Sequence, residues 1–213
     1  MGYNENSVSH LMYASLPNIV IGFHGCDKKV FDKILYKHEP FKSSHNDYDW
    51  LGNGMYFWEQ NLERAWEWAK SGRTNPKINI EEPAVIGAVI DLGVCLNLLD
   101  SNNIQMLKNQ YDLLKLKMSI IDKPMPINKN VKGNDDLLLR YLDCAVIEDL
   151  HEERKKNNQK AFDSVRGVFF EGKEIYSTSG FREQSHIQIC VRNPNCIKGF
   201  FAPKKMDTNW SNP

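Results

Sequence analysis

Three short groups of residues in this 213-residue chain combine reactive side chains with an open backbone. The first is Phe23-His24-Gly25-Cys26. An imidazole nitrogen at a strand end can hydrogen-bond a ligand hydroxyl, and the glycine beside it lets a ligand approach a backbone N–H and C=O. An ordinary strand-end turn is the plainer reading of the same pair. The second group is Gly52-Asn53-Gly54-Met55-Tyr56-Phe57-Trp58-Glu59. Its glycines make a tight entry, and Tyr56 can offer a flat face to a planar ring. The alternative is an aromatic core strand behind a glycine turn. The third group, Arg182-Glu183-Gln184-Ser185-His186, enters the run Ile187-Gln188-Ile189-Cys190-Val191. A polar cluster at a strand mouth is where an acid, a base or a hydrogen-bonding group can sit, and a solvated strand start is the competing reading. Strand alternation places Glu183 and Ser185 on one face and Gln184 and His186 on the other, and the register stays open.

The elements that must position these groups follow from pattern. Asn18–Phe23 is a short β-branched run that reads as a buried strand. Asp27 is placed to cap a helix over 28–37. Residues 37–53 form a long polar loop carrying Phe41, Tyr48 and Trp50, a combination frequent in binding loops. Gly54–Trp58 reads as a strand, and Asn61 as the cap of the helix that contains Trp66 and Trp68. Residues 71–82 make a polar connection, and Ala84–Leu92 a further strand. Helices are expected over 101–121 and 134–156, with Asp135-Asp136 at the start of the second. Strands return at 165–170, 187–191 and 197–201, with the polar loop 171–184 between the first two. Helices grouped in the middle of a strand-rich chain predict an α+β fold in one domain spanning 1–213, with residues 1–16 peripheral.

Composition narrows the function. Apolar residues are 41% and charged residues 25%, which fits a globular domain and not a disordered chain. Lys+Arg and Asp+Glu both number 27, so no global field favours nucleic acid or an anionic membrane. No apolar run approaches the roughly 20 residues that cross a bilayer. The N-terminus has no basic-then-apolar leader pattern. Gly2 fits a myristoylation pattern superficially, but Tyr3 is bulky and nothing polybasic follows. Five cysteines without a CxxC argue against a disulfide framework or a structural zinc site. The expectation is a cytoplasmic protein with reduced thiols and no metal. Cys26 beside His24 is not read as a thiol nucleophile, since sequence neighbours seldom adopt that geometry.

In this order and context the three groups resemble the ADP-ribosyltransferase superfamily, in the branch with a His-Tyr-Glu signature. Gly22-Phe23-His24-Gly25-Cys26 matches the first part. Gly52 through Ala69 matches the second, with Ala65 where the family's helix keeps a small residue. The likeness covers about residues 18–70 and 164–201, and a helical insertion occupies about 101–160. It implies a split antiparallel β-sandwich with peripheral helices, and NAD as the substrate. It implies that His24 binds the adenosine-side ribose, that the Gly25 backbone binds the nicotinamide carboxamide, and that Tyr56 stacks on the ring. Gly54 belongs to the same open turn, and Trp66 or Trp68 substitutes for a second stacking aromatic expected near Glu67. The third part departs from the signature: Ser185 or Gln184 falls at the Glu position, Glu183 lies early, and His186 can supply a hydrogen bond or a proton. Polymer formation relies on that Glu, so the resemblance favours single-unit transfer to a protein or nucleic-acid acceptor, which the 171–184 loop would touch. A bacterial toxin or defence effector is the role by family analogy. Other readings are a silent NAD or ADP-ribose-binding module, an NAD glycohydrolase, a related RNA 2′-phosphotransferase, and an unrelated α+β protein with a fortuitous match. The phosphotransferase ranks lower because the first two groups lack Arg.

Overall fold

The computed structural model of the chain describes residues 19–73, 80–131 and 136–205. The expected peripheral segment 1–16 with Gly2, residues 74–79 of the polar 71–82 connection and Asp135 lie outside them. In chain order the elements are β1 (Ile19–Asp27), α1 (Lys28–Lys37), β2 (Met55–Glu59), α2 (Leu62–Gly72), β3 (Pro83–Asp91), β4 (Cys95–Asn97), α3 (Ser101–Ile120), α4 (Tyr141–Lys156), β5 (Ser164–Phe169), β6 (His186–Val191), a 3₁₀ turn (Pro194–Cys196) and β7 (Ile197–Phe201). The fold is α+β.

The seven strands run in the order β4-β5-β6-β2-β1-β3-β7. The β4–β5 pair is parallel, so the sheet is mixed and not wholly antiparallel as expected. β4 is only three residues long, too short for alternation to reveal it. β1 is paired with β3 along its whole length, from Ile19↔Asp91 to Asp27↔Pro83. With β2 it shares only Gly22↔Glu59 and Phe23↔Trp58. One flank is therefore β4-β5-β6-β2 and the other β1-β3-β7, joined by a short ladder.

Capping follows the sequence closely at two helices. Asp27 accepts from the Lys29 N–H (2.8 Å), and Asn61 accepts from the Arg64 N–H (3.0 Å). α4 is different. It starts at Tyr141, and its Ncap residue Arg140 makes no side-chain cap bond. The Asn128 carboxamide oxygen, from a separate segment, accepts from the Leu142 and Asp143 N–H groups instead (2.8 and 3.3 Å). The expectation that Asp136 sits in a first helical turn is thus corrected: its carboxylate accepts from the Gly172 N–H at 2.9 Å and meets Arg182 at 3.3 Å.

Each sheet face is packed. On one face Leu96, Val165, Phe169 and Cys190 meet Ile147 and Leu150 of α4, and Trp58 and Val85 meet Ala65 of α2. On the other, Met55, Phe57, Ala88, Ile90, Ile189 and Val191 form a continuous apolar layer. Phe41 and Trp50 of the 37–53 loop are engaged in packing: Phe41 stacks on Phe200 (5.6 Å, 12°), and the Trp50 indole N–H donates to the Leu138 carbonyl (2.8 Å).

Candidate functional site

The site begins where β1 parts from β2. The Gln60 N–H donates to the Ile21 carbonyl at 2.9 Å, so Ile21 and its alternate neighbours Phe23 and Gly25 direct N–H and C=O toward β2. Phe23 still has Trp58 opposite; Gly25 lies beyond the last pair. Its peptide groups face a gap between two strands. His24 stands at the point of separation, with Nδ1 2.9 Å from the Tyr56 carbonyl oxygen. A carbonyl only accepts, so Nδ1 carries the proton and Nε2 holds a lone pair with no protein partner among the described residues. Burial lowers the His24 pKa to about 4, against the raising effect of the Tyr56 bond. The ring is therefore a neutral acceptor near pH 7. Gly25 is required here by close approach: a Cβ would overlap the Ala65 carbonyl oxygen of α2. Ala65 and Ala69 are wholly buried against it, which is the physical reason for a small residue at position 65.

A wall of rings leads away from His24. Trp68 of α2 lies 6.3 Å from it, Trp58 of β2 6.1 Å from Trp68, and His186 of β6 6.2 Å from Trp58, all centroid to centroid. At the far end His186 is enclosed, with Nδ1 2.7 Å from the Gln184 carbonyl oxygen. Burial lowers its pKa, while the Gln184 bond and Glu171 oppose the shift. Glu171 Oε2 is 3.5 Å from Nδ1 and 3.0 Å from Arg64, whose other terminal nitrogen meets Glu67. Four side-chain atoms here are buried without a partner among the described residues: Trp58 Nε1, Arg64 Nε, Ser185 Oγ and His186 Nε2. They come from β2, α2, the residue just before β6 and β6 itself. Unpaired buried polar atoms are costly, so such a concentration points to a place built for a ligand.

The expected site residues are distributed unevenly along this wall. His24, Gly25 and Trp68 line the gap, and Ser185 and His186 close its far end. Tyr56 is at the gap through its carbonyl, but its hydroxyl donates to the Gly52 carbonyl (2.6 Å) and accepts from the Leu51 N–H (2.8 Å). Its ring packs against the Leu51–Cys190 cluster, and burial raises its pKa well above the ordinary phenol range. Gly54 exchanges both its peptide groups with Ser44 (2.8 and 3.1 Å). Trp66 of α2 packs against the Trp58–Ala65–Val85 cluster and meets Lys70, without a ring contact to His24 among the described residues. Gln184 acts through its backbone. Glu183 is exposed, with its N–H on the Lys173 carbonyl. Cys26 sits in an apolar cluster with Ile34 and Ile86, where burial pushes its thiol pKa up to about 12. Sequence reasoning missed Trp58, Arg64 and Glu171. The alternation of Tyr56 and Trp58 carried a signal for the first. No local signal links Arg64 to a partner 107 residues away.

Two open surface cavities lie elsewhere. One of about 840 Å³ is lined by His151, Lys155, Phe162 and Arg192, among others. One of about 420 Å³ is lined by Asn53, Tyr141, Cys144 and Glu148, among others. Among the described residues no group of three or more His, Cys, Asp or Glu is placed to hold a metal ion, and no helix is long and apolar enough to cross a membrane. No family model matches the chain. It is similar to the uncharacterized protein MJ0359 of Methanocaldococcus jannaschii, with 27% identity over 197 residues and 83% of each chain covered.

Proposed function

We propose that the chain is an NAD-consuming mono-ADP-ribosyltransferase whose site is the gap between β1 and β2 and the aromatic wall beside it. The observation that carries this reading is the separation of β1 from β2 at His24-Gly25, which sets a neutral imidazole acceptor next to a glycine that lies past the last β1–β2 pair. The two flanks of the sheet, joined by two residue pairs, support a split-sandwich architecture. In this reading the Gly25 N–H and C=O meet the carboxamide of nicotinamide, which has both an acceptor and donors. His24 Nε2 accepts from the adenosine-side ribose. Trp68 and Trp58 cover the nicotinamide ring, with Tyr56 holding the turn behind it.

The bond between nicotinamide nitrogen and ribose C1′ breaks with its electron pair leaving on nicotinamide, and positive charge develops on the ribose. Stacking and carboxamide bonds hold the leaving group, while Glu171 supplies negative potential at the end of the wall. No carboxylate opens β6, and this supports transfer of single units over chain growth. The same observation favours a second reading, an NAD or ADP-ribose-binding module without turnover. Calorimetric titration of NAD into the wild type and His24→Ala, with nicotinamide assayed in the same samples, separates the readings. Binding with release, both weakened in the variant, supports the transferase. Binding without release supports the module, and neither binding nor release defeats both.

A further inference from the structure

His186 stands at the opening residue of β6, on the sheet face that carries Trp58, and its Nε2 has no partner among the described residues. We propose that His186 is the general base of this site, and that the acceptor it serves presents its nucleophile as a hydroxyl. The inference rests on the transferase reading above.

The tautomer comes first. The Gln184 carbonyl fixes the proton on Nδ1 at 2.7 Å, which makes Nε2 the basic nitrogen. Three rings surround the imidazole: Trp50 (6.3 Å), Trp58 (6.2 Å) and Phe169 (5.8 Å). In that setting the neutral form prevails near pH 7, ready to take a proton. Glu171 then matters. Its carboxylate, held by Arg64, lies 3.5 Å from Nδ1 and faces the imidazolium that forms. The other charges around the ring are Arg64 itself, with Glu67 on its far nitrogen, and Arg140, whose guanidinium lies over Trp50 and Phe169 (4.7 and 5.4 Å). Glu171 and Glu67 balance Arg64 and Arg140 in number, and Glu171, 3.5 Å from Nδ1, favours the positive charge that develops on the ring.

The chemistry selects the acceptor. A carboxylate is already ionised near pH 7 and has no proton for a base to take, whereas a hydroxyl must lose its proton as its oxygen bonds to carbon. A hydroxyl matches. Its oxygen forms a bond to ribose C1′, the C1′–nicotinamide bond breaks, the electron pair leaves on neutral nicotinamide, and the hydroxyl proton passes to His186 Nε2 and then to solvent. NAD and an alcohol give the ADP-ribosyl ether, nicotinamide and a proton. Because Nε2 is enclosed, admitting the acceptor requires the 171–184 loop to part from Asp136 at Gly172 while Glu171 stays on Arg64 and the Gln184 carbonyl stays on Nδ1.

The test incubates the full chain with NAD and methanol, and separately with NAD and sodium acetate, and follows nicotinamide and the ADP-ribosyl product by mass. The wild type is expected to form the methyl ether and not the acetate ester, with kcat falling as pH drops through the His186 pKa. His186→Asn and His186→Gln are expected to lower kcat by about 100-fold with the KM for NAD within threefold. The pH profile of the wild type tests the base even where both variants fail to fold. The inference is overturned if a folded variant retains kcat, if the wild-type rate is flat between pH 4 and 8, or if acetate is esterified as readily as methanol. A wild type that binds NAD but releases no nicotinamide defeats the transferase reading itself.

Discussion

At the residue scale the central object is His24, a neutral imidazole with one nitrogen engaged and one offered. Its ordinary pKa of 6.5 is lowered to about 4 by burial. The unfolded chain therefore binds a proton that the folded chain refuses between those pH values. Stability is fullest above pH 6.5 and falls as pH drops toward 4. We predict that His24→Gln flattens this loss by on the order of 2 kcal/mol in urea denaturation at pH 4.5 against pH 7, less than the whole shift would give because the ring is only partly covered. An unchanged pH dependence would contradict the assignment. Tyr56 makes the opposite point. The resemblance assigns its ring to stacking, yet its hydroxyl serves both Leu51 and Gly52. Tyr56→Phe removes that link and leaves the Leu51 N–H short of a partner, while the Gly52 carbonyl keeps the Cys190 thiol at 3.6 Å, at an expected cost of about 1–3 kcal/mol. Its NAD affinity should stay within a few-fold, which calorimetry on the folded variant checks.

At the element scale the site depends on close approach. α2 lies directly on β1 because Gly25 has no side chain and Ala65 and Ala69 have small ones. Gly25→Ala pushes the helix outward, with an expected loss of about 2–3 kcal/mol and of NAD binding together. A stable variant with unaltered binding would show that the contact is slack. The pattern of elements was readable in the sequence because apolar periodicity and caps such as Asp27 and Asn61 are local. What was not readable is equally physical. β4 is too short to alternate, Asp136 is drawn to Gly172 and Arg182 across the fold, and α4 takes its cap from Asn128. The aromatic residues of the 37–53 loop look like binding residues in sequence, but the fold uses Phe41 and Trp50 to close its own core. Of the site, His24, Gly25, Trp68 and His186 were visible as types in context. Arg64 and Glu171 were not, because their meeting is a product of the sheet order.

At the scale of the whole molecule the decisive feature is a sheet joined at its middle by two residue pairs. One apolar layer runs across both flanks on one face, and α2 packs on the other face beside Gly25, so the gap beyond Phe23 is held open by the fold and not by one side chain. Amide hydrogen exchange should report this: the Gly25 N–H is expected to exchange faster than the Phe23 N–H, which has Trp58 opposite, and NAD should slow Gly25 selectively. Equal protection at both positions would close the gap and remove the site with it. The most direct measurement is nicotinamide release from NAD by the purified full chain, with a folded His24→Ala variant alongside. The account predicts release by the wild type and a loss of most of it in the variant. Equal release by both proteins, or none by a wild type that also fails to bind NAD, would contradict it.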